Sequence, residues 1–255
     1  MSVEKLLSSM AARAGLTVCR TKSLEQRLPI EATPEDRSII DAVRPFTMTG
    51  AERIWCLLQS VAYLTREGIQ GDFVECGVWR GGSVMAMCLR LKELGVDDRR
   101  LWLYDTFEGM TSPTSRDVES GSGRLARDML DSTLVGDGDN VWAVSPVEEV
   151  RANVASTGYP MSQLAFVAGD VTGTLREQVP QQIALLRVDT DWYESTKAAL
   201  DELYPRLSVG GVCILDDYGH WEGARQAVDD YFDESGQRPL VLPIDYSGRV
   251  LVKNR

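Results

Sequence analysis

The stretch Gly71–Ser83, GDFVECGVWRGGS, decides the fold that we predict for this chain. Its first part, Asp72–Cys76, is short and mostly apolar, so it predicts a β-strand that carries the acid Glu75 near its end. Three glycines follow this strand: Gly77, Gly81 and Gly82. Ser83–Leu91 then has apolar residues at helical spacing. A strand that turns at glycines into a helix leaves backbone N–H groups free at the helix start, where an anionic or nucleotide-like ligand can bind.

Two bulky residues, Trp79 and Arg80, interrupt this glycine turn. The dinucleotide-binding fingerprint GxGxxG requires a glycine where Trp79 stands, because the backbone must approach the pyrophosphate closely. The sequence therefore argues against an NAD-dependent oxidoreductase, which stays a less favoured alternative. Arg80 is a candidate to bind a carboxylate.

Strand-like and helix-like segments alternate along the rest of the chain. The predicted strands are Leu101–Tyr104, Leu164–Ala168, Ile183–Val188 and Val212–Leu215, followed by a hairpin of Leu240–Pro243 and Arg249–Val252. The predicted helices are Ala51–Glu67 with Thr49 as N-cap, Ser83–Leu94, Arg124–Leu134, Pro146–Thr157 with Ser145 as cap, Thr172–Val179, Trp192–Leu207 and Trp221–Phe232. This alternation predicts an α/β fold with a doubly wound, mostly parallel sheet and an antiparallel C-terminal hairpin.

Two regions carry weaker patterns. We interpret residues 1–45 as an N-terminal helical extension, with a short amphipathic helix over Val3–Ala14, and residues 46–255 as the main domain. The extension would cover an active site or pack against a second subunit, and a partly ordered tail is the alternative. The polar stretch Thr106–Asn140 is a long loop, and loops of this length inside compact domains are usually functional or disordered.

The composition limits the class of protein. The chain has 255 residues, 44% hydrophobic and 25% charged, which is typical of one large globular domain. Its net charge of −11 argues against sequence-independent binding of nucleic acid, which needs cations to neutralise phosphate. The five cysteines include no CxxC pair, the N-terminus lacks a signal-peptide pattern, and no apolar run reaches membrane-spanning length. We therefore expect a cytoplasmic protein without a membrane or nucleic-acid partner.

Acids collect where the predicted strands end: Glu75, Asp105, Asp170, Asp189, Asp191, Asp216 and Asp217. Ligands bind at this edge of an open α/β sheet. Asp105 ends the second strand, where dinucleotide folds place the acid that holds the two ribose hydroxyls. Asp170 precedes a short helix, so its position is equally compatible with an N-cap and with a ligand contact.

Asp189, Asp216 and Asp217 are candidate metal ligands, because they end consecutive strands that lie close together in such folds. Carboxylate oxygens suit Mg²⁺ or Ca²⁺. The alternative is that Asp191 and Asp217 only cap the helices that follow them. Asp191 is also the candidate general base, since a nearby metal lowers the pKa of a bound hydroxyl. His220, the only histidine of the chain, is the competing base.

Four motifs together resemble the macrocin O-methyltransferase family: VECGVWRGGS, LYDTFEGM, LLRVDTDWYEST and LSVGGVCILDDYGH. The resemblance covers about residues 46–255 and implies a class I methyltransferase (Rossmann-like) fold with a seven-stranded sheet. Enzymes of this family use S-adenosylmethionine and a metal ion to methylate sugar hydroxyls of glycosylated natural products, and some methylate a phenolic hydroxyl. The resemblance thus implies antibiotic-type biosynthesis, a glycosylated small-molecule acceptor and a homo-oligomer.

The resemblance also implies roles for single residues. The methionine end of S-adenosylmethionine would lie near Thr47, Met48, Glu75, Gly77, Arg80, Gly81, Gly82 and Ser83. The ribose would lie on Asp105 beside Thr106 and Phe107, and the adenine near Gly169, Asp170 and Val171. Mg²⁺ would lie on Asp189, Asp216 and Asp217, with Asp189 also bordering the cofactor and Asp191 ahead of His220 as the base. Residues 106–145 would form a loop that closes over cofactor and acceptor.

Two further functions stay open on the sequence. A catechol-type O-methyltransferase would use the same cofactor and metal on an aromatic diol, with Trp192, Trp221 and Tyr218 as aromatic walls. A non-catalytic nucleotide-binding module is disfavoured, because clustered carboxylates repel one another unless a cation lies between them.

Overall fold

The computed structural model describes residues 28–132 and 142–254 of the chain. A boundary between Ala32 and Thr33 divides the chain into two compact units, and all the elements below belong to the second. The helix predicted over Val3–Ala14 lies outside the described residues, as does part of the predicted loop. No helix within the described ranges is long and apolar enough to cross a membrane.

One mixed sheet forms the centre of the second unit. The described residues form seven strands: β1 (Asp72–Cys76), β2 (Leu101–Asp105), β3 (Leu164–Ala168), β4 (Ile183–Val188), β5 (Leu207–Leu215), β6 (Leu242–Pro243) and β7 (Arg249–Val252). Their order in the sheet is β3-β2-β1-β4-β5-β7-β6. The first five strands are parallel, and β7 runs antiparallel to both β5 and β6. The predicted fold class, including the antiparallel C-terminal hairpin, is confirmed.

Helices lie between most of these strands. They are α1 (Pro34–Val43), α2 (Ala51–Arg66), α3 (Gly82–Glu93), α4 (Ala126–Asp131), α5 (Val147–Ala155), α6 (Val171–Thr174), α7 (Tyr193–Leu203) and α8 (Glu222–Glu234). Short 3₁₀ turns occupy Arg44–Phe46, Met161–Gln163 and Tyr204–Arg206. The first helix, α1, falls inside the predicted N-terminal extension and packs on α2 and α3.

The two faces of the sheet carry different side chains, because residues alternate along each strand. On one face, Val74 of β1 and Leu186 of β4 pack with Leu200 of α7 in an apolar cluster. On the other face lie Glu75 and Arg187, which are cross-strand partners in the register of β1 and β4. The helix α2 contacts β4 and β5, and the Arg187 guanidinium lies beside the segment just before it. The polar side chains of the sheet therefore face the start of α2.

Some predicted element ends are wrong, each for a local reason. The N-cap of α2 is Gly50, because the Thr49 hydroxyl instead accepts a hydrogen bond from Arg187 at 2.9 Å. The cap residue of α5 is Pro146 rather than Ser145. The helix predicted to reach residue 207 ends at Leu203, because Pro205 cannot continue it. The next strand accordingly begins at residue 207, before the glycine pair that was expected to precede it.

Other predicted elements are present but shorter. The structure has Ala126–Asp131 for the helix predicted over 124–134, Val171–Thr174 for the one over 172–179, and Leu242–Pro243 for the strand over 240–243.

The strand order reverses beside β1, which pairs with β2 on one side and β4 on the other. Such a switch point opens a crevice at the carboxyl ends of the strands. Gly77 follows β1 there with a left-handed φ of 84°, and a Cβ on it would lie 1.7 Å from the carbonyl oxygen of Asp189. Only glycine lets the chains after β1 and β4 approach this closely.

We expect Gly77→Ala to lower the free energy of unfolding by about 3–5 kcal/mol, because it adds both a left-handed strain and a backbone clash. Gly95→Ala is the matched control, since Gly95 has a φ of 71° with no atom within 4 Å of a Cβ. It should cost about 1 kcal/mol. Urea unfolding followed by circular dichroism measures both values, and equal losses would show that the close approach does not matter.

Candidate active site

A cavity of about 300 Å³ lies at the carboxyl ends of the parallel strands. The predicted site residues that line it are Thr47, Met48, Gly77, Ser83, Asp105, Asp189, Asp191, Asp216, Asp217 and His220. A second cavity of about 60 Å³ shares Gly77, Asp105 and Asp189 with the first, and it is also lined by Thr106, Gly169, Asp170 and Val171. The fold thus gathers residues from distant parts of the sequence around two adjoining spaces.

Five predicted cofactor residues lie beside these cavities without lining them in the described structure: Glu75, Arg80, Gly81, Gly82 and Phe107. Arg80 pairs through Nε with Glu149 of α5 at 3.4 Å and lies over the Trp79 ring. Gly81 is the left-handed N-cap of α3. A Cβ on Gly82 would lie 2.6 Å from the carbonyl oxygen of Phe46. Arg80, Gly81 and Gly82 thus belong to the glycine turn, whose residues Gly77, Val78 and Trp79 line the larger cavity.

Asp105 fastens the glycine turn to the end of β2. Its Oδ2 accepts the backbone N–H groups of Val78 at 2.6 Å and Trp79 at 3.0 Å, and its Oδ1 accepts that of Phe107 at 2.7 Å. A carboxylate offers about four acceptor positions. Three are occupied by backbone here, so one position is left, on Oδ1, which also lies 3.4 Å from the Thr106 hydroxyl. Trp79 has a left-handed φ of 47°, a conformation that this carboxylate helps to hold.

Asp170 is the N-cap of a short helix and also borders a cavity. Its Oδ1 accepts hydrogen bonds from the backbone N–H of Thr172 at 2.9 Å and from the Thr172 hydroxyl at 2.7 Å, so it caps α6. It also lines the smaller cavity.

Asp189, Asp216 and Asp217 form a compact cluster of carboxylates. One oxygen from each lies within 4.8 Å of the other two. Asp189 follows β4 and Asp216 follows β5, and the N–H of Asp216 donates to the carbonyl of Val188 at 2.9 Å. Pairing of the two strands therefore brings these acids together, as the sequence predicts.

Arg187 lies at the centre of this acidic cluster and was not among the predicted site residues. Its guanidinium contacts Glu75 through Nη1, and through Nη2 it contacts Asp189 at 2.8 Å and Asp216 at 2.7 Å. The side chain is only 3% exposed. A charged residue inside the otherwise apolar strand IALLRV was the sequence signal for it, because a buried charge needs a partner.

A second arginine, Arg53 of α2, reaches the same cluster from outside the sheet. It forms an ion pair with Asp216 through Nη1 and with Asp245 through Nε at 3.0 Å. Asp245 in turn accepts the N–H groups of Ser247 at 2.9 Å and Gly248 at 2.6 Å. The turn between β6 and β7 is therefore tied to the carboxylate cluster. No local sequence pattern links Arg53 to Asp216, which lies 163 residues away.

The pKa values of three acids in and beside the cluster are raised. Burial, opposed by Arg187 and reinforced by the neighbouring acids, raises the pKa of Asp189 well above its ordinary value. Burial and the Asp191 charge likewise raise the pKa of Asp217. Burial raises the pKa of Glu75 to about 7 despite its pairing with Arg187. The two arginines thus compensate only part of the negative charge.

This donor set fits a divalent cation. Three carboxylate oxygens within one cation's reach are the hard ligands that Mg²⁺ prefers. The pKa values of Asp189 and Asp217 are raised because burial and the neighbouring acids destabilise their ionised forms. Further positive charge would stabilise those forms. A bound Mg²⁺ would supply that charge.

Asp191 is held in a defined orientation beside the cluster. It has a left-handed φ of 60°, and its N–H donates to Asp217 Oδ2 at 3.0 Å. The indole N–H of Trp221 donates to Asp191 Oδ1 at 2.8 Å. Burial and the charge of Asp189 raise the pKa of Asp191 to about 7. The Trp221 hydrogen bond fixes the orientation of the Asp191 carboxylate.

His220 lines the cavity between two aromatic rings. Its Nδ1 lies 3.3 Å from the Tyr246 hydroxyl, and its ring centroid is 4.9 Å from that of Trp221. Burial lowers its pKa. Of the predicted aromatic walls, Trp192 and Trp221 line the cavity. Tyr218 instead packs against the α7–α8 side of the sheet and donates to Asp229 at 2.9 Å.

Comparison with known proteins assigns the family. The sequence profile described as macrocin O-methyltransferase (TylF) matches residues 5–253. The chain belongs to the macrocin O-methyltransferase family. The predicted resemblance is confirmed, and the protein is an O-methyltransferase.

Two curated relatives illustrate the family. The 8-demethyl-8-(2,3-dimethoxy-α-L-rhamnosyl)-tetracenomycin-C 4'-O-methyltransferase of Streptomyces olivaceus is 39% identical over 202 residues, which cover 79% of this chain and 73% of the relative. The demethyldecarbamoylnovobiocin O-methyltransferase of Streptomyces niveus is 35% identical over the same shares of each chain. The solved structure of the O-methyltransferase NovP is 34% identical, covers 82% of this chain and 83% of its own, and superposes with a TM-score of 0.70.

We expect Arg187→Met to lower the free energy of unfolding by about 3–5 kcal/mol, because the substitution leaves buried carboxylates without their cationic partner. The double variant Glu75→Gln/Arg187→Met should recover about 1–3 kcal/mol of that loss. Denaturant unfolding measures both.

The matched control is Arg66→Met, which removes the exposed Arg66–Glu67 pair. It should cost less than about 0.5 kcal/mol. If Arg187→Met cost no more than this control, the buried network would not stabilise the fold.

Proposed function

We propose that this protein is an S-adenosylmethionine- and Mg²⁺-dependent O-methyltransferase that methylates a sugar hydroxyl of a glycosylated natural product. One observation carries the proposal: the glycine turn after β1 and the carboxylate cluster after β4 and β5 border the same cavity. A methyl donor on the first and an acceptor hydroxyl on the second would therefore meet. The names of the relatives support the acceptor, since one acts on a rhamnosyl-bearing tetracenomycin and the other on a novobiocin precursor.

The cofactor would occupy both cavities, with its methionine end beside Thr47, Gly77 and Ser83 and its adenine beside Asp170. Asp105 lines both cavities and would accept a hydrogen bond from one ribose hydroxyl on Oδ1. When bound, S-adenosylmethionine supplies a methyl group that is attached to a sulfonium sulfur. The leaving group is the neutral thioether. Asp105 also holds the glycine turn in place by accepting the N–H groups of Val78 and Trp79.

Asp189, Asp216 and Asp217 would hold Mg²⁺. When bound, Mg²⁺ lowers the pKa of hydroxyl groups close to it. Arg187 and Arg53 orient the carboxylates of Asp189 and Asp216. The acids are thus held in place by the protein, so little reorganisation accompanies binding.

Asp191 would accept the proton of the acceptor hydroxyl. It lies beside the three proposed metal ligands without being one of them, and the Trp221 hydrogen bond fixes its orientation. Its position beside the proposed metal ligands would place a carboxylate next to the acceptor hydroxyl. His220 lines the same cavity and is the competing base.

The direct test is methyl transfer from S-adenosylmethionine to a panel of 6-deoxyhexose glycosides that includes L-rhamnosides. EDTA should abolish turnover and added Mg²⁺ should restore it. Asp217→Asn should lower kcat by about 10²-fold or more, because it removes a ligand charge. The control Asp229→Asn changes an acid outside the cavity and should behave as the wild type.

Three outcomes would contradict parts of the proposal. Full activity in EDTA would remove the metal role. Cofactor binding without turnover of any acceptor would favour a non-catalytic module. Faster turnover of catechols than of glycosides would favour the catechol-type alternative, to which the Trp192 and Trp221 walls are also suited.

The base is tested by Asp191→Asn and His220→Gln, with cofactor affinity measured by calorimetry for each. We expect Asp191→Asn to lower kcat by about 10²–10⁴-fold, with little change in the dissociation constant of S-adenosylhomocysteine. His220→Gln should have a smaller effect on kcat. The opposite order of the two losses would assign the base to His220.

A further inference from the structure

Four rings that line the cavity form a continuous row, here called the aromatic row: Trp192, Trp221, His220 and Tyr246. Successive ring centroids lie 5.0, 4.9 and 5.9 Å apart, and each pair meets edge to face. The exposed fraction rises along the row, from 3% for both tryptophans to 30% for the His220 side chain and 69% for Tyr246. The row therefore leads from the buried end, beside Asp191, to the surface.

Tyr246 is highly exposed although its backbone is firmly fixed. The turn that carries it is held by Asp245, which accepts two of the turn's N–H groups and pairs with Arg53. The Ser247 hydroxyl donates to the carbonyl of Asp216 at 2.6 Å. Beneath the turn, a Cβ on Gly219 would lie 1.9 Å from the Tyr246 carbonyl oxygen. An exposed aromatic ring on a rigid turn at a cavity mouth is suited to contact a ligand.

The charges in the described lining of the cavity disfavour one class of extended acceptor. Arg53 and Arg187 are the arginines in that lining, and both are already paired with carboxylates. A nucleoside diphosphate attached to the sugar would bring two further negative groups to this lining, which offers them no unpaired arginine. An uncharged extension avoids this repulsion, and Met48, 52% exposed, offers it a second apolar contact at the cavity.

We propose that Tyr246 is a specificity-determining residue that selects acceptors whose sugar carries a planar, apolar aglycone. The sugar lies at the inner end of the aromatic row, and the aglycone packs on the Tyr246 ring at its outer end. The reaction that supplies this acceptor is then glycosyl transfer to the aglycone, which precedes methylation. This inference rests on the proposed sugar O-methylation.

The experiment uses the full chain and the sugar with the highest turnover in the glycoside panel. It compares kcat/KM for three acceptors with that sugar: the methyl glycoside, the 4-methylumbelliferyl glycoside and the thymidine diphosphate sugar. We expect the wild type to prefer the 4-methylumbelliferyl glycoside. Tyr246→Ala should lower the ratio of its kcat/KM to that of the methyl glycoside by about tenfold, chiefly through KM, because the stacking ring is lost.

Two further variants separate loss of the Tyr246 ring from loss of its hydroxyl and from a general effect of removing an exposed side chain. Tyr246→Phe keeps the ring but loses the hydroxyl near His220, so it should retain the wild-type ratio. Leu242→Ala, at an exposed position outside the cavity lining, should leave the ratio unchanged. An equal effect of Tyr246→Ala on both glycosides, or a wild-type preference for the diphosphate sugar, would overturn the inference while leaving sugar methylation intact. If the wild type methylates no glycoside, the proposed function itself fails.

Discussion

The rest of the site depends on the ion pairs that the Arg187 guanidinium makes with three carboxylates. This guanidinium is buried between β1 and β5, and it joins Glu75, Asp189 and Asp216 at the carboxyl ends of three adjacent strands. Without it, the acids that the fold brings together would repel one another inside a poorly solvated space. Because a single planar group makes these contacts, the positions of the strand ends and of the carboxylates are set together.

This arrangement leaves the site with more negative than positive charge. Arg187 and Arg53 compensate enough negative charge for the protein to fold around the cluster, yet the pKa values of Asp189 and Asp217 stay raised. A cation that bound the folded state preferentially would also stabilise it, so folding and metal binding would favour each other. The same imbalance would repel acceptors that bring additional negative groups.

The fold was predictable because its signals are local. The apolar run of β4 and the glycines after β1 specify a buried strand and a turn without reference to the rest of the chain. The acids at the strand ends were also predictable as a group, since parallel strands end at one edge. Their partners were not, because Arg53 lies on a helix whose amphipathic pattern explains it as an ordinary polar residue. Thr49 shows the same limit: a tertiary hydrogen bond to Arg187 replaces the cap that its position indicates.

The turn between β6 and β7 has a consequence for how the site forms during synthesis. Strands β1, β4 and β5, with their acids, precede this turn in chain order, whereas β7 must then pair with β5. Asp245 and Ser247, which contact Arg53 and the Asp216 backbone, are therefore synthesised after every carboxylate of the cluster. An incomplete chain can thus contain every carboxylate of the cluster and still lack the wall against which an acceptor would rest.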